Sequence, residues 1–245
     1  MGASEGRGVE AAARASRRPR SLPNPREYAE AVLVAAVFAL LVKAFLFEAY
    51  QVPSGSMEES LLVGDHVLVD KLAFAPRTLP WGPLLPRREL RRGDVVVFRG
   101  TEEPARDFVK RAVALGGERV EIRAKRLLVD GAEVPEPYVV HRDPGLFEGD
   151  GIPALLRGRD ALPPAVLPPG TFFALGDNRD ESRDSRTWGP VPAGLLRGRA
   201  LFVYWSVRPP DEPIGGRSAG VRRALDGAIH FFSRTRWKRT LRAVR

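Results

Sequence analysis

The chain reads as mainly β: an antiparallel β domain preceded by one N-terminal transmembrane helix. Residues 29–47 form an almost unbroken apolar stretch of about 19 residues, roughly 30 Å long as a helix and enough to span a bilayer. From Val52 onward, short runs rich in Val, Leu, Ile and Phe alternate with Gly, Pro and charged turns, the pattern of strands. Within them, Val129-Asp130-Gly131-Ala132 is a tight hairpin connection, because Asp-Gly accepts the positive φ angles such a turn needs.

Taken in order, residues 1–27 make a basic tail rich in Ala, Arg, Gly and Pro without an apolar period, expected to be disordered. Residues 28–48 are the expected spanning helix. Its charged interruptions, Glu30 and Lys43, stand near the two ends, where long side chains reach the headgroups. A removable leader is the competing reading for residues 31–42, but no small-x-small cleavage site follows Val42. Arg14, Arg17, Arg18, Arg20 and Arg26 precede the segment, which puts the N-terminus in the cytoplasm and everything after Tyr50 outside. The chain has no cysteine, which fits either redox compartment.

Residues 49–210 are the expected β domain, with strands at 67–69, 95–98, 108–115, 120–122, 127–129, 172–175 and 201–205. Residues 74–91, with Trp81 and several prolines, read as an outward loop. Residues 211–245 are strongly basic, and Leu225, Ala228, Ile229 and Phe232, then Trp237, Leu241 and Val244, recur near helical spacing. That pattern suits an amphipathic helix on anionic lipid, with a packed terminal strand left open as the alternative. The formal charge of +9 and pI near 10.5 would also suit phosphate binding, but an exterior domain leaves no nucleic acid to meet.

The segment Pro53-Ser54-Gly55-Ser56-Met57 leaves the apolar run through a sharp turn, since Pro53 fixes its own φ and Gly55 takes conformations closed to other residues. It can present the Ser56 hydroxyl at the end of a strand. A serine needs a base, and His66, His141 and His230 are the three histidines, none in a persuasive setting. Lys110 is the better candidate, lying in an apolar strand. At an unperturbed pKa of about 10.4 only roughly one lysine in 2,500 is neutral at pH 7, so burial has to lower it, by about three units.

Taken together with Leu61, Gly64-Asp65 and Val67-Leu68-Val69-Asp70-Lys71, this segment resembles the nucleophile box of bacterial type I signal peptidases, membrane-bound proteases with a Ser-Lys dyad. Arg92-Gly93-Asp94-Val95-Val96-Val97-Phe98 resembles that family's next box and Phe108-Val109-Lys110-Arg111 its lysine box. Residues 176–186 with Trp188-Gly189 resemble its last. The four stand in the family's order over residues 51–192.

The resemblance implies a β catalytic domain with an inserted cap, here about residues 120–169. It makes Ser56 the nucleophile and Lys110 the general base of an acyl-enzyme mechanism, with the Ser56 N–H and the Ser54 hydroxyl as the oxyanion hole. Ser182 would orient the Lys110 ammonium, and Asp184, Arg186, Asp177 and Arg111 would support the dyad. Tyr50, Val52, Pro53, Met57, Leu61, Phe108 and Val109 match positions that line shallow pockets for small side chains. The implied substrate is the Ala-x-Ala end of the signal peptide of an exported preprotein, and no metal or organic cofactor is implied. The implied location is the bacterial inner membrane, single-pass, with the catalytic domain on the outer face.

Two positions depart from the pattern. Glu58-Glu59 follow Met57 and are expected to raise the lysine pKa, and Thr187 precedes Trp188. Two rival functions remain open: an exported binding or scaffold protein that kept the fold and lost catalysis, and a self-cleaving Ser-Lys repressor. The second should carry a helix-turn-helix and an Ala-Gly cleavage bond before Ser56, and neither is visible.

Overall fold

The computed structural model describes residues 24–74, 88–147, 158–209 and 231–244. The tail before residue 24, the loop around Trp81, part of the expected cap at 148–157 and residues 210–230 of the basic C-terminal stretch, His230 among them, lie outside the described residues.

Helix α1 spans Pro25–Phe45. Proline suits the first helical position, where its missing N–H is no loss, and Asn24 caps the turn by accepting from Arg26 N at 3.2 Å. The apolar side chains of Val32, Leu33, Val34, Phe38, Leu40 and Leu41 are exposed, on every side of the helix. Among the described residues no helix is long and apolar enough to cross a membrane. Arg26, Glu27 and Glu30 charge the first turns of α1. The helix also ends sooner than the expected residue 48, because Phe47–Gln51 is strand β1 and pairs with β2, Asp65–Asp70.

The main sheet adds β3 (Val95–Arg99), β4 (Asp107–Leu115), β9 (Thr171–Leu175), β10 (Val191–Pro192) and β11 (Leu196–Ser206). Its order is β1-β2-β11-β3-β4-β9-β10, and β12 (Arg242–Ala243) pairs with β11. A second sheet, in the order β7-β6-β5-β8, holds β5 (Arg119–Arg123), β6 (Arg126–Val129), β7 (Ala132–Glu133) and β8 (Leu162–Val166). The strands of both sheets pair antiparallel throughout. At the turn after β6, Asp130 and Gly131 take φ of 52° and 81°, as the Asp-Gly pair requires. Pro163 and Pro164 fall in β8, an edge strand, where a missing N–H faces no neighbour.

Alternation builds the core. Val67 and Val69 of β2 are buried with Val95 and Val97 of β3 in one apolar cluster that also takes in Met57, Leu61 and Val244. Val96 and Phe98 point the other way and pack with Ala112, Phe172 and Ala174. The second sheet closes on Val113, Phe173 and Leu175 through Val120, Ile122 and Leu127. Burying such side chains contributes about 1.5–3 kcal/mol each, so these clusters make the sheet a stiff mount for whatever it carries.

The described C-terminal part is neither one helix nor one strand. A helical turn at Phe231–Arg234 and a 3-10 turn at Trp237–Arg239 lead into β12. Val244, expected on the apolar face of a surface helix, is buried in the core instead.

Candidate active site

Ser56 stands in a 3-10 turn, Gly55–Met57, that follows Pro53 and Ser54. Met57 anchors the turn from below, 1% exposed, while Ser56 itself stays accessible. The loop is closed at its base, because Val52 N donates to Asp65 O at 2.8 Å and Gly64 N to Val52 O at 3.0 Å. From the far side, Asn178 N donates to Ser56 O at 3.2 Å and its side-chain amide to Gly55 O at 3.3 Å. The turn is thus tethered by backbone carbonyls and not through the Ser56 hydroxyl.

Strand β4 lies between β3 and β9 and carries Lys110 opposite Val96. Lys110 Nζ is 2.6 Å from Ser56 Oγ, a direct hydrogen bond. The lysine is 3% exposed. Burial disfavours its ammonium and brings the pKa down to about 8; Asp184 and Asp177 pull it back up, while Arg186 pushes it further down. The fall from 10.5 is somewhat smaller than the three units expected. Glu58 and Glu59 do not contribute to it, contrary to expectation. Glu58 Oε2 instead accepts from Arg142 Nη2 at 2.7 Å, so its charge is already matched.

Ser54 Oγ lies 3.5 Å from Ser56 Oγ, on the same side of the turn. Arg111, next along β4, points to the opposite face and grips Asp177 with both arms, Nε to Oδ1 at 2.8 Å and Nη2 to Oδ2 at 2.6 Å, both residues 1% exposed. Its third nitrogen donates to Gly93 O at 2.8 Å and its guanidinium stacks over Tyr138. Arg186 forks in the same way onto Asp184, at 2.9 and 2.8 Å. Burial would raise the Asp184 carboxyl, but Arg186 and the N–H of Gly176 outweigh it and leave the pKa lowered. A bidentate pair of this kind is geometrically specific, so each holds one end of residues 177–186 in place.

Ser182 Oγ is buried and makes no hydrogen bond with Lys110. It sits against the backbone of Gly176, where a Cβ would come within 2.2 Å of the hydroxyl and 2.5 Å of Ser56 O. A glycine is therefore required for the last segment to approach the Ser56 turn this closely. His66 stacks on Trp205, ring centroids 4.8 Å apart, and His141 faces Asp180, so neither reaches Ser56.

A cleft of about 620 Å³ opens on the dyad. Tyr50, Val52, Pro53, Met57, Phe108 and Val109 line it, together with Ser54, Ser56 and Lys110. Leu61, expected among them, is fully buried in the core beneath Met57 and does not line it. Arg106, Asp107, Glu181 and Arg183 form a charged rim that the apolar pattern did not point to.

With this geometry in view, residues 25–205 match the family described as signal peptidase, peptidase S26. The chain belongs to that family. Among signal peptidase I relatives, that of Pseudomonas aeruginosa is 35% identical over 211 residues, 75% of this chain and 74% of its own. Signal peptidase I of Bacillus licheniformis is 33% identical over 180 residues, 73% of this chain and 88% of the relative. That of Aquifex aeolicus is 29% identical over 218 residues, 70% and 81% of the two chains. Signal peptidases are serine peptidases, and in this member Ser56 and Lys110 are the serine and lysine that meet.

Proposed function

We propose that this protein is a membrane-anchored serine endopeptidase that removes signal peptides from exported preproteins by cutting after Ala-x-Ala-type ends. Ser56 Oγ attacks the scissile carbonyl as Lys110 Nζ takes its proton. The oxyanion is met by the Ser56 N–H and the Ser54 hydroxyl. Lys110 then returns the proton to the leaving amine, giving an acyl-enzyme, and water activated by the same amine releases the new carboxylate. The observation that carries this reading is the 2.6 Å contact between a lysine only 3% exposed and an accessible serine. Family membership and the apolar cleft beside the pair support it.

The substrate lies extended along the cleft, its small side chains on Val52, Met57 and Val109, in the manner of a strand added to an exposed edge. The second sheet is the cap, and residues 177–186 are the dyad's frame. The anchor is the helix through residues 28–45, supported by apolar side chains exposed around its whole circumference. The arginines before it place the N-terminus in the cytoplasm and the catalytic domain on the outer face of the plasma membrane.

The test is cleavage of a preprotein whose signal peptide ends in Ala-x-Ala, comparing detergent-solubilised wild type with Ser56→Ala and Lys110→Ala at matched folding. Cutting after the final alanine, lost in both variants, is the expected result. An active Lys110→Ala would remove the base assignment, and a folded wild type that cuts nothing would favour a binding protein on the same fold.

A further inference from the structure

Away from the dyad, a cluster of charge surrounds Asp65, which is fully buried at the start of β2. Its Oδ2 accepts from Leu62 N at 2.9 Å and from Arg239 Nη2 at 2.6 Å. Its Oδ1 accepts from Ser206 Oγ at 2.5 Å and from Arg239 Nε at 3.3 Å, with Arg236 Nη1 3.6 Å away. The same two arginines hold loop carbonyls: Arg239 Nη2 donates to Ser60 O at 3.0 Å and Arg236 Nη2 to Val63 O at 2.8 Å.

Those carbonyls belong to residues 60–65, the second half of the closed loop that has Ser56 near its tip. Leu61 N in turn donates to Met57 O at 2.8 Å, which joins this half to the 3-10 turn. The tail that supplies the arginines is itself fastened. Leu241 N donates to Val203 O at 2.7 Å and Val244 N to Leu201 O at 2.9 Å, and Val244 packs in the cluster that holds Met57 and Leu61. The turn is therefore gripped on one side by Asn178 and on the other, through residues 60–65, by residues 236–244.

We infer that Arg239, seconded by Arg236, is a positioning residue for Ser56: the basic tail braces the loop that keeps the serine within reach of Lys110. This inference rests on the peptidase reading. A guanidinium suits the task because its planar fork reaches the Asp65 carboxylate and the Ser60 carbonyl at once, which an ammonium cannot do with the same geometry. Part of the strong positive charge of the C-terminal region is thereby spent on the catalytic body itself.

The experiment uses the full chain in detergent and compares Arg239→Met, Arg239→Lys and, as a control for general destabilisation, Leu127→Ala in the second sheet. At a temperature where circular dichroism shows each wholly folded, Arg239→Met is expected to lower kcat at least tenfold with KM within about threefold. Arg239→Lys should recover part of that loss, and the control should keep its kcat. Amide exchange at Met57, Leu62, Gly64 and Asp65 should speed up at least tenfold in Arg239→Met, with β9 unchanged. Should Arg239→Met fail to fold, Arg236→Met, which frees Val63 O, is read by the same two measures. Unchanged exchange in the loop, or a kcat equal to the control's, would overturn the inference. The exchange arm needs no substrate, so a wild type that cleaves nothing counts against the peptidase reading alone.

Discussion

The Lys110 pKa of about 8 yields two opposed consequences for replacing that residue with methionine. A fall of about 2.5 units from 10.5 corresponds to about 3–4 kcal/mol against the ammonium inside the fold, at about 1.4 kcal/mol per unit. Between pH 8 and 10.5 the unfolded chain holds a proton there that the folded one has lost, so stability rises with pH through that window. Below pH 8 the folded protein carries the full penalty. Lys110→Met removes it, so the variant should be more stable than wild type at pH 7 by about 2–3 kcal/mol, the difference closing by about pH 10.5. Activity runs the other way. Wild-type kcat/KM should rise about tenfold from pH 7 to pH 9, as the neutral amine goes from about one tenth to about nine tenths of the molecules. The variant should be inactive throughout. Urea denaturation at pH 7 and pH 10 gives the first quantity, and preprotein cleavage across pH 6 to 10 the second. A flat or falling rate profile between pH 7 and 9, with a variant no more stable than wild type at pH 7, would refute the account of a buried neutral base.

Three further outcomes are expected. Asp177→Ala leaves the Arg111 guanidinium buried without its carboxylate and should cost about 3–5 kcal/mol in denaturation, part of it recovered by adding Arg111→Met. Gly176→Ala drives a Cβ into Ser182 Oγ and Ser56 O and should cost at least about 1–3 kcal/mol, together with lost labelling of Ser56 by a serine-directed phosphonate. Leu40→Asp, at an exposed apolar position of α1, should weaken membrane insertion by about 3 kcal/mol, seen as release of the protein from membranes by carbonate.

Much of this architecture is legible in the sequence, and the misreadings have physical reasons. Ser56 and Lys110 could be named as candidates from their own segments, and Arg111 and Asp177 only from the resemblance of theirs to the boxes of a known family. The strands appear where Val and Phe cluster, but β12 is two residues long with no composition of its own, formed by pairing with β11. Leu61 was taken for a pocket residue because an apolar side chain looks the same whether it lines a cleft or lies beneath it. Asn178 went unnoticed although it adjoins Asp177, since its amide acts on a carbonyl 123 positions earlier in the chain. Glu58 misled for a similar reason: its partner Arg142 is 84 positions on. Arg236 and Arg239 could not be singled out within the basic tail because charge runs carry no sign of which single carboxylate they meet.

Lys110 and Arg111 are neighbours on one strand and face opposite sides of the sheet. Sliding β4 by a single residue would bring either Arg111, whose guanidinium does not give up its proton in proteins, or Val109 to the place of Lys110 beside Ser56. Composition and net charge would survive such a slip, and the chemistry would be gone. The pairing of β4 with β3 and β9 thus acts as the alignment mark of the catalyst. A relative with one residue inserted or deleted ahead of Lys110 in this strand would be expected to bind peptides and cut none, unless a compensating bulge restored the phase.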